Sequence, residues 1–311
     1  MKSFDGRVAA ITGAASGIGR ALAVALSEQG CHLALSDVNS KELTETAKQC
    51  SGGAGSSNVD ITCTTVDVAD RAAVFEWAES SADHFGQINL IFNNAGVNLT
   101  HDASTQSVED IAWVMEIDFW GVVHGTQAFL PHLRAATAGH VVNISSVFGL
   151  VSIPTQSAYN AAKFGVRGYT DALRMELELE GSHVSTTTVH PGGIKTNIVR
   201  NGRSQHGSIT ADRFDKMAMT TPEKAAQQIL TAVQRNRRRC LVGPDAVLFD
   251  LGSRLPAALT HRIVKAVSKR NLGPGPATAD LEQPSLAQSS AGGIAHFPEG
   301  EALGRGDSTS R

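Results

Sequence analysis

Short apolar runs alternate with longer stretches in which apolar residues recur every three or four positions, from residue 7 to residue 243. The runs RVAAIT (7–12), CHLALSD (31–37), TCTTVDV (62–68), INLIFNNAG (88–96), HVVNIS (140–145), HVSTTTVH (183–190) and RRRCLVG (237–243) predict strands. Between them, helical periodicity covers 20–30, 40–50, 70–84, 108–133, 155–180 and 221–236. Gly30 stops the first helix, Pro131 predicts the end of the fourth, and Thr220 or Thr221 caps the sixth. Strands that take turns with helices imply a parallel sheet covered on both faces. The expected class is therefore α/β, a doubly wound parallel sheet of about seven strands in a single domain.

The first strand runs into GAASGIG and then a helix, which places Gly13, Gly17 and Gly19 at a strand-to-helix turn. Glycines there let the backbone turn sharply and let a pyrophosphate approach free helix amides. Thr12 to Gly19 is thus a dinucleotide-loop candidate. Asp37 ends the second strand at the distance expected of an acid that binds the adenosine ribose hydroxyls, and its charge would repel the 2′-phosphate of NADP. The glycine turn carries no Arg or Lys to offset that charge, so the reading is NAD; the alternative is an Asp that caps the following helix. Asp67 ends the third strand and either receives the adenine amino group or caps helix 70–84. Asn93 and Asn94 lie at the carboxyl end of the fourth strand, where open α/β sheets bind ligands, and Gly96 lets the chain pass close by.

The candidate chemistry lies in NISSVFGLVSIPTQSAYNAAK, residues 143–163. Tyr159 and Lys163, four residues apart on a helix, share one face, so the ammonium can favour the ionised phenol. A phenol ordinarily titrates near ~10, and a fixed cation is one way to bring it into use. Ser146 adds a second hydroxyl for a substrate carbonyl, although Ser145, Ser152 and Ser157 are close by and the pattern alone does not choose among them. Further on, Ile194 by its backbone and Thr196 by its hydroxyl are placed to meet a nicotinamide amide, unless Pro191-Gly192 is only a turn. Residues 197–220 are polar and irregular enough to form a lid.

Composition narrows the partners. A net charge of -3 argues against nucleic acid, and 41% apolar residues with 30 glycines fit a compact globular protein. Cys31, Cys50, Cys63 and Cys240 lack metal-ligand spacing, so neither a metal site nor a disulfide framework is expected. There is no signal-peptide pattern and no apolar run of membrane-spanning length, and the expectation is a soluble, cytoplasmic protein. Residues 257–270 form an amphipathic basic helix with Leu259, Ile263 and Val267 on one side and Arg262, Lys265 and Lys269 on another. It is expected to pack on the domain or on a second subunit, with membrane-surface contact as the remaining option. From Gly273 the chain is rich in Gly, Pro, Ala and Ser. Three segments follow: 1–245, dinucleotide-binding and catalytic; 246–272, a helical extension; and 273–311, a disordered tail whose RGD at 305–307 reads as chance.

TGAASGIG, Asp67-Val68, NNAG at 93–96, Ser146, Tyr159-x-x-x-Lys163 and PGGIKT, in that order, resemble the short-chain dehydrogenase/reductase family over residues 5–245. The resemblance implies a Rossmann fold with Tyr159 as acid/base, Ser146 orienting the carbonyl and Lys163 holding the nicotinamide ribose while lowering the Tyr159 pKa. It also implies that Gly13, Ser16, Gly17, Ile18 and Gly19 line the pyrophosphate, Asp37 takes the ribose, and Asp67 and Val68 the adenine. Asn94, Ala95 and Gly96 would pass along the cofactor, and the Pro191, Gly192, Ile194 and Thr196 loop would close over the nicotinamide. One position departs: the family usually has Asn where this chain has Asp118. The Asn is thought to hold a water that joins the lysine to solvent. Asp118 accepting from that water is the preferred expectation, and Asp118 tying up the ammonium, leaving Tyr159 less acidic, is the other.

The function expected is hydride transfer between NAD(H) and a secondary alcohol or ketone. Phe148, Leu150, Val151, Ile153 and Phe214 suggest an apolar substrate such as a steroid, fatty or aromatic alcohol. The competing readings are a catalytically weak NAD-binding or interaction protein and an NADP-dependent carbonyl reductase. Helices 108–133 and 155–180 resemble those through which the family forms homodimers and homotetramers.

Overall fold

The computed structural model describes residues 1–52, 58–204 and 218–272. In chain order it contains β1 (Val8–Thr12), α1 (Gly17–Ser27), β2 (His32–Asp37), α2 (Ser40–Ser51), β3 (Ile61–Thr65), α3 (Arg71–Phe85) and β4 (Leu90–Asn93). Then come β5 (Leu99–Thr100), α4 (Val108–Met115), a π-helical turn (Glu116–Trp120), α5 (Gly121–Ala135), β6 (Gly139–Ile144), a short 3-10 turn (Val147–Gly149), α6 (Ser157–Leu179) and β7 (Val184–Pro191). Last are β8 (Arg203–Ser204), α7 (Pro222–Gln234), β9 (Arg239–Val242), α8 (Pro244–Ser253) and α9 (Ala257–Leu272).

Seven strands form one sheet in the order β3-β2-β1-β4-β6-β7-β9, every neighbouring pair parallel. The order reverses direction at β1 and β4, and this switch point is where such sheets hold their ligands. The side-chain period of two explains the layers. Ala9, Ile11, Leu33, Leu35, Leu90, Phe92, Val142 and Ile144 face a core with α1 and α7, while Val8, Ala10, Ala34, Ile91 and Val141 face a second core with α3, α5 and α6. Both faces being covered, the central strands β1, β4 and β6 are buried at every position.

Three features differ from the pattern-based expectation. The 108–133 helix is broken by the π turn at Glu116–Trp120, and it runs past Pro131 to Ala135. Pro131 and Gln127, whose carbonyl loses its intrahelical partner, are both on the exposed side of the helix, so the last turn continues without a buried unpaired carbonyl. The apolar row of α9 does not bury against the domain: Leu259, Ile263 and Val267 are all exposed. Residues 205–217 of the expected lid, with Phe214, and the tail 273–311 lie outside the described residues. The two-residue strands β5 and β8 pair with each other, which ties the start of that segment to the loop after β4. Among the described residues, no helix is long and apolar enough to cross a membrane.

Candidate active site

The glycine turn is shaped by close approaches that exclude side chains. Gly13 has φ +64°, and a Cβ there would stand 2.8 Å from the Ala95 Cα; on Gly17, at φ +54°, it would stand 3.0 Å from the Thr196 methyl. A Cβ on Gly19 would collide with the Gly13 carbonyl oxygen. Three chain segments, the turn after β1, the strand end at 94–96 and the loop at 196, therefore converge at one point. Ser16 is the N-cap of α1, and its side chain makes no capping bond, so the first amides of the helix remain available. The residues present fit a dinucleotide pyrophosphate.

Thr12 joins the turn to the strand end: its hydroxyl oxygen accepts from the Asn94 and Ala95 amides at 2.9 and 3.0 Å. The Asn94 side-chain amide donates back to the Thr12 and Gly13 carbonyls. Asp37 accepts from the Ala15 amide at 3.0 Å and from the Asn39 amide at 2.9 Å, while Asn39 caps α2. Asp37 is not that helix's cap; it fixes the backbone of the glycine turn through Ala15. Asp70, not Asp67, caps α3, and Asp67 accepts from the Ala69 amide and stays exposed. Val68 is buried against Gly121, and its carbonyl accepts from His124 Nδ1 at 3.0 Å. Ile18 and Gly19 lie in the first turn of α1.

The reacting groups meet where β6 ends and α6 begins. Ser145 and Ser146 point to different tasks: the Ser145 hydroxyl donates to the Lys163 carbonyl at 2.8 Å, cross-linking strand to helix. Ser146 accepts from the Phe148 amide at 3.1 Å, and its hydroxyl lies near enough to Tyr159 to draw the phenol pKa down. With a lone pair occupied by Phe148, its own proton is the part available to a ligand oxygen. Lys163 lies with its ammonium 5.4 Å from the centre of the Tyr159 ring, donating to the Ile144 carbonyl at 3.3 Å and pairing with Asp118 at 3.0 Å. Both charged side chains are sealed, Lys163 at 4% exposure and Asp118 at 0%.

Asp118 reaches this position because the π turn rotates it inward, and such turns recur at functional sites. Its second oxygen accepts from the Val97 amide at 2.7 Å. The contact with Lys163 is direct. Burial pushes the Asp118 carboxyl up, against the pull of the Lys163 ammonium and the Val97 amide. Burial alone would push Lys163 down, but the carboxylate and phenol beside it outweigh that and hold it above the ordinary lysine value. For Tyr159, burial raises the phenol, the ammonium and the Ser146 hydroxyl draw it down, and Asp118 raises it again. The net direction is upward, opposite to the acidic phenol expected from the lysine alone: the low-dielectric setting and the extra carboxylate together exceed the effect of the cation.

The 191–196 loop closes the far side. Ile194 is buried at 4% and bridges Thr220, so its backbone is what it presents, and Thr196 lies against the glycine turn. Gly193 donates to Asp245 at 2.6 Å, and a Cβ on Gly192 would strike that carboxylate. Nothing in the local sequence pointed to Asp245, fifty-two residues away. His190, fully buried, donates through Nδ1 to the Ser146 carbonyl at 2.9 Å, and burial pushes its imidazole down to about 4, so it is neutral. Behind them, Asn93 donates to Asn143 at 2.8 Å and to Thr126 at 3.1 Å, and Asn143 donates to Thr170 at 2.9 Å. A polar residue in an otherwise apolar stretch was the available signal for Asn143; His190, in a strand rich in Ser and Thr, had none.

A family model described as short chain dehydrogenase matches residues 7–207. The putative oxidoreductase SadH of Mycobacterium tuberculosis is 44% identical over 270 residues, which is 86% of this chain and 96% of that protein. Dehydrogenase/reductase SDR family member 7B of Mus musculus is 32% identical over 240 residues, 76% of this chain and 72% of the relative. Among solved structures, a short chain dehydrogenase/reductase from Burkholderia phymatum in complex with NAD superposes with a TM-score of 0.75 at 29% identity, covering 86% of this chain and 97% of that one. Levodione reductase superposes with a TM-score of 0.70 at 28% identity, covering 78% and 99%.

Proposed function

The chain belongs to the short-chain dehydrogenase/reductase family of oxidoreductases, and from that premise we propose that it moves a hydride between NAD(H) and an apolar secondary alcohol or ketone. The observation that carries the reading is the convergence of Ser146, Tyr159 and Lys163 at the sheet edge that also holds the glycine cradle. In the reductive direction Tyr159 gives its proton to the substrate oxygen, and in the oxidative direction it takes that proton back. Ser146 donates to the same oxygen and fixes its place. Lys163, held protonated by Asp118, is the fixed positive charge beside the phenol. When bound, the nicotinamide supplies or accepts the hydride.

NAD rather than NADP is supported by Asp37 and by the state of Arg20, the nearest cation in the sequence after the glycine turn. Its guanidinium is engaged by Glu42 at 2.8 Å, by Thr46 at 2.9 Å and by the Ala15 carbonyl, leaving little to meet a 2′-phosphate. The NAD in the Burkholderia neighbour agrees with this choice. An apolar substrate is supported by Phe148, whose ring stands edge-on to Tyr159 at 6.3 Å, and by the neighbouring Leu150, Val151 and Ile153. Trp120 and Phe164, apolar and exposed on adjoining helices, favour a homodimer or homotetramer, and the proposed setting is the cytoplasm.

The sealed Asp118–Lys163 pair supports a second reading, a catalytically weak NAD-binding protein. Purified protein assayed with NAD, NADH, NADP and NADPH against a panel of apolar alcohols and ketones decides between them. Turnover with NAD(H) supports the first; tight NADH binding without turnover across the panel supports the second.

A further inference from the structure

We propose that the helical pair at 244–272 is a docking surface for an anionic lipid bilayer. Its apolar side chains are on the outside. Leu248, Leu251 and Leu255, at and just beyond α8, and Leu259, Ile263 and Val267, along α9, are 41 to 71% exposed. On α9 the three recur every four residues and make one stripe. At about 100° per residue, Arg262, Lys265 and Lys269 lie together on one flank of that stripe, where long basic side chains can reach lipid headgroups while the stripe enters the acyl boundary.

Charge selects the occupant. From Leu251 to Leu272 the sequence contains Arg254, Arg262, Lys265, Lys269 and Arg270 and no Asp or Glu, in a chain whose net charge is -3. The acids on α8 are already engaged: Asp250 is paired with Arg239 at 2.6 Å and Arg254 at 2.8 Å, and Asp245 accepts from Gly193. Among the described residues no carboxylate pairs with Arg262, Lys265 or Lys269. In a two-fold contact between copies each face meets itself, which would bring these cations together without an acid between them. Such contacts also tend to be depleted of charge at their centre. An anionic bilayer satisfies both halves of the surface, the stripe by burial and the cations by surface potential. The dock adjoins the site, since Phe249 of α8 stands edge-on to Phe148 at 6.1 Å, and Phe148 to Tyr159.

Flotation of the full chain with vesicles of phosphatidylcholine, with and without phosphatidylglycerol, tests this. The protein is expected to float with phosphatidylglycerol vesicles at least about tenfold more than with the neutral ones, and less as salt is raised. Lys265→Glu with Lys269→Glu, and separately Ile263→Ser with Val267→Ser, should each cut flotation by about tenfold or more while the thermal unfolding midpoint stays in place, because all four residues are exposed. No flotation of the parent, equal flotation with both vesicle types, or undiminished flotation of both variants overturns the proposal. So does light scattering in which the apolar variant converts a dimer to a monomer without changing flotation, which would assign the face to a second copy.

Discussion

The Asp118 carboxylate holds the Lys163 ammonium at 3.0 Å, beneath Gly96, where an added Cβ would stand 3.3 Å from both charges. A buried pair of this kind secures the lysine's charge but adds a negative neighbour to the phenol that must ionise.

Asp118→Asn removes that negative neighbour and keeps a side chain able to accept from Val97. Oxidation needs the phenolate, so the rise of its rate with pH is expected to move to lower pH, with the rate at neutral pH preserved or raised by up to about tenfold. Rate profiles of parent and variant, measured in the oxidative direction, check this. A large loss at every pH would mean that the carboxylate itself is required.

The same pair has a signature in stability. Lys163 is held above its ordinary 10.5, so its contribution is full below that value and is lost as pH rises through the higher folded value. Tyr159, held above 10.0, acts in the same window, because the unfolded chain gives up its phenol proton first. Thermal unfolding midpoints should therefore fall above about pH 10, and fall less steeply in Asp118→Asn. Equal slopes for the two proteins would contradict the pairing.

Tyr159→Phe deletes the proton donor and leaves the ring in place. Turnover is expected to drop by roughly 10²–10⁴-fold or more, with NADH affinity, followed by fluorescence titration, little changed. Retained turnover would refute the assignment.

Asp37→Asn removes the charge proposed to meet the adenosine ribose while leaving an oxygen for the Ala15 amide. The preference for NAD over NADP, measured as a ratio of kcat/KM values, should fall by about tenfold. A parent enzyme that already prefers NADP would overturn the cofactor choice.

Gly19→Ala places a methyl against the Gly13 carbonyl and the Asn94 amide. Overpacking of this sort costs about 1–3 kcal/mol, and cofactor affinity should weaken along with the thermal midpoint. Unchanged affinity would show that the turn is not the cradle.

Much of this was legible in the chain, because β1, β4 and β6 are buried along their whole length and stand out as short runs between turn residues. The glycine turn, the strand ends and the pairing of Tyr159 with Lys163 follow from spacing alone. The π turn at Glu116–Trp120 was not legible, since one inserted residue barely alters a three-to-four apolar period. Nor was the choice between Ser145 and Ser146, which depends on how β6 leaves the sheet, or the cap at Asp70, three residues beyond Asp67, for which the pattern leaves capping and adenine contact as equal options. Asp245 belongs to another class: a contact across so long a separation has no local trace. The acidity of Tyr159 required three neighbours at once, of which sequence spacing supplied only the lysine.

The row from Thr126 through Asn93 and Asn143 to Thr170 threads two helices and two central strands on consecutive side-chain bonds. Sliding α6 along the sheet would break this thread in a region with no water to replace it. Tyr159 is thus registered from the inside of the protein, much as a spindle is held by its bearings, rather than by the loops around it.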